Sequence, residues 1–212
     1  MLKKIIISID GPAASGKGKI AKYINKKWKF KHLDSGILYR RVAYELLKEK
    51  INLSSKNEIK QIILSKTVIS YRNSKKLRTE IVSKIASKIA VYEFIRSYIN
   101  KFQRDFVKLN TKDKCFVIDG RDIGSVVFKN ADLKLYIEVN EKNRAKRRYK
   151  QLIDTGEKSI YRKILKDIKL RDKKDINRKN SPLTRAKGSV IIDNNGSFED
   201  TKSQIDYHIR NL

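Results

Sequence analysis

The chain has 212 residues and 40% hydrophobic content, enough for one buried core with insertions and too apolar for a disordered tail. Its 51 Lys and Arg against 23 acidic residues leave a formal charge of +28, which predicts attraction to nucleotides, nucleic acid or acidic lipid. Lysine outnumbers arginine 36 to 15 and is spread along the chain, so the charge reads as a solvated coat or a compositional bias and not as a nucleic-acid-binding stripe.

Residues 5–9 form a β-branched apolar run that predicts a strand buried on both faces. The apolar N-terminus is too short for a signal segment or a membrane span, and no later stretch approaches membrane length, so the expectation is a soluble cytoplasmic protein. GPAASGKG follows the run, then apolar residues at helical spacing over 20–24, then a second strand over 30–33 ending at Asp34-Ser35-Gly36. This is a βαβ unit. Residues 81–109 carry a period close to 3.6 and predict helix. Residues 115–118 predict a third strand ending at Asp119, with Cys115, the only cysteine, as a small buried hydrophobe that excludes an internal disulfide. A fourth strand over 133–139, amphipathic helices over 141–153 and 158–172, and a fifth strand over 189–192 complete the chain. Alternating strands and helices imply a parallel α/β sheet. Residues 35–110 are too long for one crossover, and residues 154–188 are very basic and poor in apolar residues, so both read as insertions over the sheet.

Residues 11–19, GPAASGKGK, match the phosphate-loop pattern G-x-x-x-x-G-K-[ST] through Gly11, Gly16 and Lys17, between a buried strand and an amphipathic helix. Glycines let the backbone curl so that the N–H groups of Ala13, Ala14, Ser15, Gly16, Lys17 and Gly18 can point at phosphate oxygens. The helix N-terminus adds its positive dipole end. Lys17 reaches the β and γ phosphates. Gly18 replaces the Mg²⁺-binding hydroxyl, and Lys19 follows where a small hydroxyl is usual; its ammonium is expected to point to solvent or to add a phosphate contact.

Such a loop serves ATPases, GTPases and kinases alike. The chain carries no NKxD-type guanine motif. Two further segments, LDSGILYR over 33–40 and DGRDIGSVVF over 119–128, sit at predicted strand ends, where parallel sheets bind ligands. Asp122 in the second could equally cap a helix. RTEIVSKIAS over 78–87 and RDKKDINR over 171–178 are ordered after the same plan. Together with IDGPAASGKG these segments resemble bacterial cytidylate (CMP) kinases from the N-terminus to the last helix.

The resemblance implies a three-layer α/β/α P-loop fold with a five-stranded parallel sheet. Residues 1–34, 101–153 and 189–212 would be its core, residues 35–100 a shortened monophosphate-binding insertion and residues 154–188 a lid. It implies transfer of the γ-phosphoryl of ATP to CMP or dCMP, with Mg²⁺ held largely through water and phosphates and no protein metal ligand assigned. Ser35, Arg96 and Asp122 would face cytosine. A carboxylate suits the N4 amine, and Arg suits O2 and N3. Ser87, Arg171 and Asp175 would contact the sugar. Arg40, Arg121 and Arg178 would clamp the CMP phosphate and the transferring group, with Lys17, Arg121 and Arg178 catalytic. His32 and His208 receive no role. In the insertion, only residues 67–72 and 75–79 are strand-like, leaving room for at most one hairpin. The partners implied are ATP and CMP or dCMP, with no membrane, no specific nucleic acid and a monomeric state. The alternatives are another P-loop small-molecule kinase, an acceptor-independent ATPase, or a basic nucleic-acid-binding protein.

Overall fold

Five segments, four of them rich in apolar residues, line up as the strands of one sheet in a computed structural model that describes residues 3–65, 75–154, 156 and 158–212. The strands are β1 (Ile5–Asp10), β2 (Lys31–Asp34), β3 (Cys115–Asp119), β4 (Leu133–Glu138) and β5 (Val190–Asp193), in the order β2-β3-β1-β4-β5. The β1–β3, β1–β4 and β4–β5 pairings are parallel. This is the expected α/β fold. All five strands differ from the predicted bounds by one residue at one end or both, and β1, β2, β3 and β5 all end on an aspartate.

β1 lies at the centre of the order, and Ile7 and Ile9 are fully buried. They join Val117, Leu135, Ile137 and Ile192 in one apolar cluster with Ile20, Ala21 and Ile24 of α1 (Lys17–Trp28) and Ile205 and Ile209 of α8 (Phe198–Arg210). Burying side chains of this size stabilises each by about 1.5–3 kcal/mol. Ser197 caps α8 in a reciprocal capping box with Asp200. Cys115 is half-buried at the edge of this cluster, not fully buried as its sequence context predicts, and burial pushes its thiol pKa up.

Two compact units are present. One comprises Met1–His32 and Lys112–Leu212, the other Leu33–Thr111. In the first, α6 (Glu141–Asp154) and α7 (Tyr161–Asn177) pack through Ala145, Leu152, Ile164 and Ile168. The helix predicted over 158–172 thus starts three residues later and continues to Asn177, which places Asp175 in its last turn.

The second unit is helical: α2 (Ser35–Lys48), α3 (Lys56–Ser65), α4 (Glu80–Ile89) and α5 (Glu93–Leu109). The continuous period over 81–109 resolves into two helices. Tyr92 takes an extended conformation between them, because its hydroxyl donates to Leu53 O at 2.9 Å and its ring stacks on Phe94. Residues 75–79, expected as strand, instead form a 3₁₀ turn, Lys75–Arg78, leading into α4 with Leu77 buried. The other half of the expected hairpin, residues 67–72, lies outside the described residues.

Candidate active site

The phosphate-loop segment leaves β1 and enters α1. Two of its glycines are required by geometry. Gly11 has φ +150°, and a Cβ there would lie 2.7 Å from Ile137 O. Gly16, the N-cap of α1, has φ +90°, and a Cβ there would lie 2.6 Å from Asn194 Nδ2. The loop's carbonyls are tied to the protein. Arg144 Nη1 donates to Ala13 O at 3.0 Å, and Asn194 Nδ2 donates to Ser15 O at 2.8 Å. Lys17 Nζ donates to Pro12 O at 2.7 Å and to Ser15 Oγ at 3.0 Å. A trans peptide points its N–H opposite its C=O. Tying the carbonyls of Ala13 and Ser15 therefore turns the N–H groups of Ala14 and Gly16 the other way.

Lys17 is buried, and its pKa lies well below the usual lysine range. Burial is the main cause, the nearby Arg121 and Arg171 add to it, and Asp119 and Asp10 oppose it. Gly18 has room: a Cβ there would come no closer than 4.0 Å to Asp119 Oδ2. Asp119 Oδ1 is taken by His32, whose Nε2 lies 2.6 Å away. Lys19 is exposed, and its Nζ sits 3.8 Å over the centroid of the Phe198 ring.

The second strand end, after β3, turns through Gly120, Arg121 and Asp122 into a π-helical turn, Ile123–Val127. Asp122 is buried at the start of this turn but does not cap it with its side chain. The cap comes from Asp10, whose Oδ1 accepts from Ile123 N–H at 2.8 Å and whose Oδ2 accepts from Gly124 N–H at 2.7 Å. Arg121 Nε donates to Asp175 Oδ2 at 3.2 Å, and Arg178 Nη1 stands 3.5 Å from Asp175 Oδ1. Burial pushes the Asp175 carboxyl up, but the guanidiniums of Arg121, Arg171 and Arg178 outweigh it and hold it below the usual range. Arg178 Nε also donates to Ser181 O. Arg144 carries a second role, pairing with Asp172 at 2.6 Å and so joining α6, α7 and the phosphate loop.

The structure therefore gathers Lys17, Arg121, Arg171, Asp175 and Arg178 into one electrostatic group, with Asp122 beside Asp10. The remaining expected residues lie in the other unit. Ser35 is buried at the start of α2, next to Asp34, whose carboxylate accepts from Ile37 N–H. Arg40 is half-buried on α2, with Nη1 3.5 Å from the Cβ position of Gly36. Ser87 is half-buried on α4. Arg96 on α5 is 3% exposed; its Nη1 donates to Ala90 O at 3.0 Å, closing the end of α4, and its guanidinium stands 5.6 Å from the Tyr39 ring centroid.

Sequence reasoning missed Asp10, Arg144 and Asn194. Only Asp10 carried a signal, as a charged residue closing an otherwise apolar strand just before the loop. Arg144 and Asn194 lie 131 and 179 residues from the loop atoms they hold.

The chain resembles known proteins. A family profile described as cytidylate kinase matches residues 7–206. A cytidylate kinase from Bartonella bacilliformis is 40% identical over 193 residues, 91% of this chain and 87% of that protein. One from Rickettsia africae is 42% identical over 187 residues, 88% of this chain and 83% of that protein. Two solved structures share the fold alone. A Thermus thermophilus protein superposes with TM-score 0.55 at 15% identity, over 99% of this chain and 98% of that one. A gluconokinase from Sinorhizobium meliloti gives 0.52 at 11% identity, over 98% and 95%. With a phosphate loop, an arginine cluster and a family match along nearly its whole length, the chain belongs to the cytidylate kinase family.

Proposed function

We propose that the chain transfers the γ-phosphoryl group of ATP to CMP or dCMP, giving ADP and CDP or dCDP. The observation that carries this reading is the placement, in one unit and at the ends of adjacent strands β1 and β3, of the phosphate loop and the turn bearing Arg121 and Asp122. Phosphoryl transfer needs positioning and charge neutralisation more than a covalent nucleophile. The loop N–H groups and Lys17 serve the ATP phosphates. Arg121 and Arg178 neutralise the transferring group and the acceptor phosphate, and their planar forks suit phosphate oxygens. Arg171 and Asp175 meet the sugar. Asp122 accepts the cytosine N4–H, which a uracil carbonyl cannot offer. In the other unit we assign Ser35 and Arg96 to the base, Ser87 to the sugar and Arg40 to the acceptor phosphate. Residues 154–188, which include α7, act as a lid over the nucleotides and exclude water.

The residues fit a magnesium ion held mainly by nucleotide and water. Gly18 has no hydroxyl, and Asp119 Oδ2 is the nearest side-chain oxygen to that position, 4.0 Å from where a Cβ would stand. Asp119 would hold the ion through water, oriented by His32 at its other oxygen. When bound, the ion neutralises charge on the phosphates.

An ADP-release assay with CMP, dCMP, UMP and AMP tests the reading. CMP and dCMP should exceed UMP and AMP in kcat/KM by on the order of a hundredfold or more. Asp122→Ala should shrink the CMP-to-UMP ratio. An unchanged ratio would refute the role of Asp122, and ADP release independent of acceptor would refute the kinase.

A further inference from the structure

Asp10 is the last residue of β1 and directly precedes the phosphate loop. Both its oxygens are committed to a segment more than a hundred residues away, at the N–H groups of Ile123 and Gly124. These open the π-helical turn that follows Arg121 and Asp122. The turn is fastened on its other side too, because Gly120 N–H donates to Ile9 O at 2.9 Å. Gly124 sits so close to β1 that a Cβ there would lie 2.7 Å from Ser8 Oγ and 3.4 Å from Asp10 Oδ2. Asp122 and Arg121 are thereby bracketed by attachments to residues 9 and 10.

Holding a carboxylate here carries a cost. Asp10 is 4% exposed, and burial raises its pKa to about 6 despite both N–H donors. A backbone turn needing only a cap could be served by a nearer, solvated side chain. The buried carboxylate does something a local cap cannot, because its own backbone leads straight into the phosphate loop.

We propose that Asp10 is a positioning residue that holds the Arg121–Asp122 turn in register with the phosphate loop, and so sets acceptor affinity and cytosine preference. The specificity part rests on the reading that Asp122 meets the acceptor base.

The test uses Asp10→Asn, Asp122→Ala and the double variant, with steady-state kinetics on CMP and UMP and hydrogen exchange of the amides over residues 120–128. Asp10→Asn keeps the size and one acceptor oxygen but turns an amide N–H₂ toward a backbone N–H. The loss of one charge-assisted bond should speed exchange in the turn and lower the CMP-to-UMP ratio of kcat/KM, each by roughly tenfold or more, with KM for CMP raised and KM for ATP within about threefold of the parent. The double variant should discriminate no worse than Asp122→Ala alone. Gly124→Ala pushes the same turn off β1 without altering Asp10, should give the same pattern, and carries the test if Asp10→Asn does not fold. Unchanged exchange in the turn overturns the proposal. So does an equal rise in KM for ATP and CMP, the signature of a merely structural residue. Where Asp122→Ala lowers the ratio, a parent-level ratio in Asp10→Asn overturns it as well. If Asp122→Ala leaves the ratio unchanged, the base reading of Asp122 fails instead, and Asp10 is judged on exchange and on KM for CMP against KM for ATP.

Discussion

The phosphate loop and the turn over residues 120–128 leave neighbouring parallel strands at the same end, yet the protein holds them by opposite halves of the peptide group. In the loop, the carbonyls of Pro12, Ala13 and Ser15 are bound by Lys17, Arg144 and Asn194. In the turn, N–H groups of Gly120, Ile123 and Gly124 are bound by Ile9 O and the Asp10 carboxylate. A segment gripped by its carbonyls presents N–H groups and suits an anion. A segment gripped by its N–H groups has few donors left for one. It offers side chains instead, here Arg121 and Asp122. On the function proposed above, the two grips separate cradling of phosphate from reading of the acceptor.

That contrast can be broken at three points, in order of expected effect. Arg144 pairs with Asp172 and holds Ala13 O from a nearly buried position, so Arg144→Met should cost roughly 3–5 kcal/mol in denaturant unfolding. It should raise KM for ATP more than KM for CMP. A larger effect on CMP would mean that the loop does not depend on its carbonyl grip.

The second point is the pH dependence of stability. Asp10 has a folded pKa of about 6 against a usual 3.8, with Lys17 and Asp122 the charged groups that act on it. The folded state binds the proton more tightly, so this residue's contribution falls as pH rises through about 4 to 6 and is constant above. Relative to Asp10→Asn, the parent should lose up to about 3 kcal/mol across that window. A flat difference would place the carboxylate in a less desolvated site than its burial implies.

The smallest effect concerns Lys19. Its ammonium lies over the Phe198 ring, so Lys19→Thr should change stability by no more than about 1 kcal/mol and leave KM for ATP unaltered. A marked gain in turnover or a tighter Mg²⁺ dependence would put Lys19 inside the cradle.

Much of the fold was legible because local signals were strong. Continuous apolar runs specify buried strands: residues 5–9 and 115–118 fall in β1 and β3, and the run over 133–139 overshoots β4 by one residue. Where a local pattern was weak or continuous across a break, it misled. The period over 81–109 does not reveal that Tyr92 leaves the helix for Leu53 O, and polar residues 75–79 lack any signal that Leu77 is buried in a 3₁₀ turn. The site divided similarly. Gly11, Gly16 and Lys17 could be read from spacing, because backbone curvature and phosphate reach are short-range demands. Arg121, Asp175 and Arg178 were legible only as a family pattern, and their mutual ion pairs could not be read from spacing.

Spacing and local pattern suffice for the strand-loop-helix unit, the glycines that permit its curl and the family to which the chain belongs. What grips each loop is set by the assembled fold. Asp10, Arg144 and Asn194 act through hydrogen bonds to backbone atoms, and a backbone N–H or carbonyl is the same group in every residue but proline. A partner that any residue could supply leaves no trace in sequence, and its identity emerges only when distant strand ends are brought side by side.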